Sequence, residues 1–469
     1  MKVRNATGSY WGLRPSLASW LYRGMIRPVI TYGCHVWARC TIAPGVQKKL
    51  NSLQRLALMS LGFFRHSTPT AGLEIITLTC PLRLHVQKEA AATHLRTKHV
   101  RKFNDDTMRT ALHSTSVGHR QFIQAYLDDY GFENADTDTL TEEVFLWDKK
   151  YKINLQSFET GLPQTEADIF AFSDGSKTLD GLTGSGYVIY QNGVSTQEDH
   201  FHLGKYTTVF QAEIYAILKV ATHLDEMRTS NQKIIIHSDS QAAILALNNT
   251  RVTSNLVHLA MTYLNNIATT NDVTIVWVKA HAGHEGNEKA DELAKAGAAD
   301  EENHVQDVPQ VSTAIIRQRL TDCIRKQWTV DWTQNQPCRQ TKHFFPTTIP
   351  KLSRDLMKYG RTHFSALVQL ITGHNFMNRH NTIVAIGTPD IDMARCQYCD
   401  DEEAEESTAH ILAECEAFGV QRHHIFGQST LDLPDLPKVK AAKFIEFLKD
   451  ANLDAFLDIM NYGTDDISM

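Results

Sequence analysis

The chain has 469 residues, 42% hydrophobic and 21% charged, with a formal net charge of −6. That profile fits a soluble globular protein of two to four domains and excludes a disordered or fibrous chain. Eight cysteines in so long a chain make no disulfide framework, no N-terminal signal peptide is visible, and the most apolar early stretch, Leu17 to Tyr32, carries Arg23, Arg27 and Pro28 and is too short and too charged to span a bilayer. The expectation is an intracellular protein without a membrane segment; the composition does not separate nucleus from cytoplasm.

Residues 1–102 form the first region. They hold sixteen Lys or Arg against two acids, Glu74 and Glu89, a net +14 that leaves −20 on the remainder. So basic a block is the electrostatic footprint of a partner such as nucleic acid. Helical periodicity runs through Leu17–Ile30 and Val46–Leu61, breaks at Thr68-Pro69-Thr70, and resumes from Pro81 to about Lys102. Residues 103–165 are polar and acidic and read as a linker, with Asn134-Ala135-Asp136-Thr137-Asp138 as its most linker-like stretch and Val144–Leu155 packing locally.

Residues 166–300 read as an α/β domain. Ile169-Phe170-Ala171-Phe172 suits a buried strand that stops at a turn, followed by strands at Gly186–Tyr190 and Ser195–Phe201. Val209–Leu224 has helical spacing. Lys233–His237 is a buried strand, two helices follow, and Val273–Val278 is the last strand before a helix from Asn287 to Ala298. Three strands in a row and then alternation predict one mixed five-stranded sheet flanked by helices. Asp174 and Asp239 then fall at strand carboxyl ends, where ligands of open α/β sheets bind. Carboxylates gathered at one sheet edge repel unless cations lie between them, and hard divalent cations with oxygen ligands are the remedy.

Residues 301–385 read as helical, with Ile315, Leu320, Ile324, Trp328 and Trp332 on one face. Residues 386–430 contain Cys396, Cys399, His410 and Cys415, spaced for one closed, structural, tetrahedral Zn²⁺ site, with His410 and Cys415 on a helix from Ser407 to Ala417. The other five cysteines read as buried thiols. Residues 431–469 hold an amphipathic helix, Lys438–Leu448, and a tail.

The segments Asp174-Gly175-Ser176, Gly184-Ser185-Gly186, Ala212-Glu213, Ser238-Asp239-Ser240 and Trp277 through Asp291 together resemble type 1 ribonuclease H, in the form carried by non-LTR retrotransposon polyproteins. The resemblance covers about 130 residues. It implies cleavage of the RNA strand of an RNA–DNA hybrid with two Mg²⁺ ions, Mn²⁺ being an alternative. Asp174, Glu213, Asp239 and Asp291 match the metal-binding carboxylates, and His281 matches a mobile loop histidine that moves protons or releases product. His284 is the competing candidate, because Lys279-Ala280 stands where many relatives have Pro-Gly. Gly175, Ser176, Gln211 and Asn287 are the expected hybrid contacts. Only Arg251 is basic between Asn249 and Asp272, so the basic protrusion of some relatives is missing and grip on the hybrid comes from elsewhere.

Gln54-Arg55 and the Pro81-Leu82 helix start resemble, more loosely, the thumb and connection region after the polymerase core of non-LTR reverse transcriptases. Leu370–Phe418 resembles the C-terminal zinc region of the same polyproteins. Tyr126-Leu127-Asp128-Asp129 has the letters of a polymerase aspartate pair but lies downstream of the thumb-like region in polar surroundings. It reads as a solvated helix end, which implies a retroelement chain without the polymerase palm. A non-catalytic nucleic-acid-binding remnant and a strand-transfer enzyme or resolvase are the alternatives; four intact carboxylates oppose the first and Gly286-Asn287-Glu288-Lys289-Ala290-Asp291 the second.

Overall fold

The computed structural model describes residues 12–97, 127, 137–140, 144–155, 166–301, 307–334, 337–387 and 390–456. The chain divides into two compact units, residues 91–320 and residues 1–90 with 321–469.

The 91–320 unit is built on β1 (Val144–Phe145), β2 (Lys152–Asn154), β3 (Ile169–Lys177), β4 (Thr183–Gln191), β5 (Val194–Gly204), β6 (Lys233–Ser238), β7 (Arg251–Val252) and β8 (Asp272–Trp277). Its helices include α1 (Val209–Glu226), α2 (Gln241–Asn248), α3 (Asn255–Ile267) and α4 (Glu285–Ala299). Six strands make one mixed sheet in the order β2-β8-β6-β3-β4-β5, and β1 pairs separately with β7. β2, β8, β6 and β3 run parallel, whereas β3, β4 and β5 form an antiparallel meander. The β4–β5 hairpin turns at Asn192 and Gly193, with φ of 53° and 79°. Positive φ at both turn residues matches the twist of the flanking strands.

One sheet face buries Ile234, Ile236 and Ile275 against Ile214, Ile217 and Leu264 of α1 and α3. On the other face Phe172 and Val188 pack on Ala290 and Leu293 of α4. That helix lies so close to β4 that a Cβ on Gly186 would stand 2.5 Å from the Ala294 nitrogen.

Three expectations are corrected here. The sheet has six strands, not five, because β2 adds in parallel to β8. Much of the described 137–155 segment is part of this unit and not a free linker: Thr137 bridges Val311, and the Asp138 carboxylate accepts from the Leu256 N–H (3.0 Å) and the Ser254 hydroxyl (2.8 Å). β3 does not stop after Phe172 but runs on to Lys177, because β4 pairs along its whole length. Of Tyr126-Leu127-Asp128-Asp129 only Leu127 is described; it is helical and buried, and the two aspartates lie outside the described residues.

The other unit is helical. Pro15–Thr31 is helical throughout with a π-turn at Tyr22–Ile26, helices span Pro44–Met59 and Thr70–Ile76, and the Leu82–Thr97 helix belongs to this unit as far as Ala90. Leu58, Leu61, Leu73 and Ile76 from the basic block share one core with Trp328, Trp332, Phe364, Leu367, Ile411, Cys415, Phe444 and Phe447. The basic helices and the cysteine-bearing module are therefore not separate domains. A buried chain ties the basic block together: the Tyr22 hydroxyl donates to Gln54 Oε1 (3.0 Å), and Gln54 Nε2 donates to Glu74 Oε1 (2.5 Å). Burial pushes Glu74 up to about 8, so at neutral pH it adds little negative charge to the block. Of the five cysteines expected to be buried thiols only Cys34 is buried; Cys80, Cys323 and Cys338 are half-buried and Cys40 is exposed. Among the described residues no helix is long and apolar enough to cross a membrane.

Candidate functional site

The parallel pairing of β3 with β6 ends at Ser173 opposite Ser238. Asp174 and Asp239 are the next residues on each chain, so the register brings them together where β6 stops. Asp174 stays in the β3–β4 ladder opposite Gly186, and the Gly175 N–H donates to its Oδ1 at 2.7 Å.

Glu213 comes from the first turns of α1, which the Thr208–Gln211 capping box starts. Gly175 sets how close this helix comes. A Cβ there would lie 2.7 Å from the Glu213 nitrogen and 2.8 Å from the Ala212 Cβ, so any side chain at 175 displaces Glu213.

Carboxylate oxygens of Asp174, Glu213 and Asp239 lie within 4.8 Å of one another. Burial first, then the Asp239 charge, pushes Asp174 up to about 7. Burial and then Asp174 and Asp239 hold Glu213 well above the usual carboxylate range. Burial also raises Asp239, opposed by a hydrogen bond from the Asn287 side chain. Glu213 Oε2 is buried with no partner. Hard oxygen donors, mutual repulsion and an orphaned carboxylate oxygen fit a divalent cation.

Asp291, in α4, lies outside the 4.8 Å grouping but reaches it: its side chain hydrogen-bonds Asp174, and its charge helps to raise both Asp174 and Asp239. Its Oδ2 is 2.7 Å from Lys295 Nζ, one turn on. Sequence reading missed Lys295, although the i,i+4 spacing was a usable signal. His281 lies on the exposed loop between β8 and α4 with φ 52°, close enough to Asp239 to hold that carboxyl down. His284 takes the N-cap position of α4 without a side-chain cap bond.

The four expected hybrid contacts separate. Ser176 is half-buried at the end of β3 beside Gly175. Asn287 is buried against Asp239 and positions that carboxylate. Gln211 is corrected: its side chain is buried, and its amide serves the capping box, Asp138 Oδ2 (3.2 Å) and the Gln310 carbonyl (2.8 Å). Nothing of that amide is left for a ligand.

In the other unit, Cys396, Cys399, His410 and Cys415 place one ligand atom each within 4.8 Å of the rest. Cys396 Sγ is 3.9 Å from Cys415 Sγ, and Cys399 Sγ is 3.4 Å from His410 Nε2. Three thiols and an imidazole at this spacing suit tetrahedral zinc. Burial raises Cys396 and pushes Cys415 up to about 12, so binding displaces protons. The helix carrying His410 is Thr408–Ala413; Cys415 lies beyond its end, not on it. Arg422, buried, donates to the carbonyls of Cys415 (2.5 Å) and Ile411 (2.9 Å) and braces the cluster. No local pattern announces that role.

Residues 166–299 match the RNase H family, and the chain carries an RNase H domain there. Short segments resemble curated proteins named Ribonuclease H. One from Jannaschia sp. (strain CCS1) is 78% identical over 27 residues, 6% of this chain and 17% of the relative. One from Roseobacter denitrificans (strain ATCC 33942 / OCh 114) is 69% identical over 29 residues, 6% of this chain and 19% of the relative. The matched segments thus span under a fifth of those relatives' length. The crystal structure of RNase H1 from the halophilic archaeon Halobacterium salinarum NRC-1 is 22% identical, with 28% of this chain and 98% of that chain covered and a TM-score of 0.24.

Proposed function

We propose that the RNase H domain at residues 166–299 hydrolyses the RNA strand of RNA–DNA hybrids, in a metal-dependent reaction and within a retroelement-derived chain. One observation carries the reading: Asp174, Glu213 and Asp239 converge within 4.8 Å, with Glu213 Oε2 buried and unpartnered. These residues would hold the first cation, with Asp291, whose side chain already reaches Asp174, beside them. Two divalent ions, Mg²⁺ or Mn²⁺, supply Lewis acidity at the attacking and leaving oxygens of a phosphodiester. The protein's own part is positional. Gly175 admits Glu213, Asn287 orients Asp239, and the exposed His281 loop accepts and releases protons.

In the other unit Cys396, Cys399, His410 and Cys415 would hold one structural zinc, and the basic helices of residues 12–90 are offered to nucleic acid. A 5′-labelled RNA–DNA hybrid incubated with Mg²⁺ tests the reading. RNA-strand cleavage by the wild type and its loss in Asp174→Asn are expected; an intact hybrid under both Mg²⁺ and Mn²⁺ refutes it.

A further inference from the structure

Ser67, His374 and His380 meet in the helical unit, at a place no part of the nuclease reading uses, and the charge of Arg65, two residues before Ser67, acts on His380. The two imidazole rings lie 4.6 Å apart between centroids, and His380 Nε2 is 2.9 Å from Ser67 Oγ. The Arg55 guanidinium donates to the carbonyls of His66 and Thr68, which fixes this loop from one side. His374 Nδ1 and Arg65 Nε are buried atoms with no partner. Burial is the main cause that lowers both imidazoles to about 4. His380 and Arg55 add to it at His374, as do Arg65 and Arg379 at His380. Each ring is then neutral at pH 7 and carries one N–H donor.

The charges that act on the two imidazoles are all positive. Among the described residues no carboxylate pairs with Arg55, Arg65, His374 or His380; Arg379 is the exception nearby, held by Glu405 at 2.5 Å. Buried polar atoms without partners are costly, and Arg65 Nε, which can only donate, is one of them. Two imidazoles also suit a transition metal, but two neighbouring guanidiniums repel a cation, and a serine hydroxyl is a poor third ligand. What the cluster lacks is an anion. Ser67 and His66 are exposed, so the rim is open to one.

We propose that Arg65, Ser67, His374 and His380 bind a phosphate oxyanion, with Arg55 holding the 65–68 loop in place. Guanidinium geometry matches phosphate oxygens, and the donor set is completed by His374 and by whichever proton, the Ser67 O–H or the His380 N–H, their mutual hydrogen bond leaves free. The oxyanion comes from a nucleic-acid phosphodiester or from free phosphate. The site gives the nucleic-acid reading of the basic helices a defined contact, and it stands independently of hydrolysis at Asp174.

The test uses the full zinc-loaded chain as wild type, Arg65→Gln, Ser67→Ala and His374→Gln. Inorganic phosphate is titrated by calorimetry and a short labelled RNA–DNA hybrid by fluorescence anisotropy. Arg65→Gln and His374→Gln are each expected to weaken binding about tenfold or more, as for a lost charge-assisted or buried hydrogen bond. Arg65→Gln should also flatten the salt dependence on the hybrid by about 0.9 in log–log slope. Weakening for phosphate alone assigns the site to free phosphate; weakening for the hybrid, with or without phosphate, assigns it to a phosphodiester. Equal affinities of wild type and all variants for both probes overturn the proposal. Near-UV circular dichroism checks folding, and Arg65→Gln and Ser67→Ala, at the more open rim, keep the test decisive if His374→Gln misfolds. Hydrolysis is measured in parallel, and its loss alone bears only on the carboxylate site.

Discussion

Replacing Asp174 by Asn should make the cation-free nuclease unit more stable at pH 8 while abolishing its chemistry. Asn keeps the shape and the oxygen that accepts from the Gly175 N–H at 2.7 Å. It removes one of three carboxylates whose oxygens lie within 4.8 Å. Asp174 is pushed from 3.8 to about 7, chiefly by burial and then by Asp239. At 1.36 kcal/mol per pH unit this is a destabilisation of about 4 kcal/mol at most once the group ionises. Solvent reaching the half-buried Asp239 side of the cluster lowers the figure to about 2 kcal/mol. The sign follows from proton linkage. The folded state holds the extra proton between about pH 4 and pH 7, so the stability this proton contributes declines as pH rises through that window and is fully lost above it. A unit of this size should therefore melt about 4–8 °C higher as Asp174→Asn at pH 8. The gap should narrow towards pH 5, where the wild-type carboxyl is protonated. Differential scanning calorimetry in Mg²⁺-free buffer follows it, and added Mg²⁺ should raise the wild-type transition more than the variant's. A variant that melts at or below wild type at pH 8, or a gap that does not shrink at pH 5, refutes the electrostatic reasoning.

Gly175→Ala should reduce hydrolysis at least as much as it reduces stability, because its Cβ meets the Glu213 backbone at 2.7 Å; overpacking costs about 1–3 kcal/mol, and full activity in a folded variant would contradict the geometry. His281→Ala should slow turnover by about 10²–10⁴-fold without abolishing it; full turnover would pass the role to His284, which the double variant with His284→Ala resolves. Metal analysis should find one zinc per chain, and its removal should loosen the whole helical unit, since Cys396 and Cys415 sit in the core shared with Leu58 and Leu73; unchanged amide exchange in the 44–59 helix after chelation would argue otherwise. Lys48 and Lys49 are exposed on that helix. Changing both to Gln should flatten the salt dependence of hybrid binding by about 1.8, and an unchanged slope would remove them from the interface.

The order of elements from β3 to α4 and the carboxylates they carry were legible in the sequence because each signal is local. An apolar run, a capping residue and an acid a fixed distance on need no distant partner to be read. That Asp174 and Asp239 meet also follows from register, since each stands one residue beyond the last parallel pair of β3 and β6. Gln211 was illegible for the opposite reason. Its amide is claimed by Asp138 and Gln310, 73 and 99 residues away, and a polar residue before a glutamate looks the same whether it faces inward or outward. β2 is three residues long and has no periodicity of its own; it is a strand because β8 offers it a parallel edge. The same holds for the helical unit, where residues 12–90 and 321–456 bury their apolar faces in one core. Periodicity shows that a face is apolar, but which distant face covers it is decided only when the chain closes on itself, because burial is non-directional and carries no label for its partner.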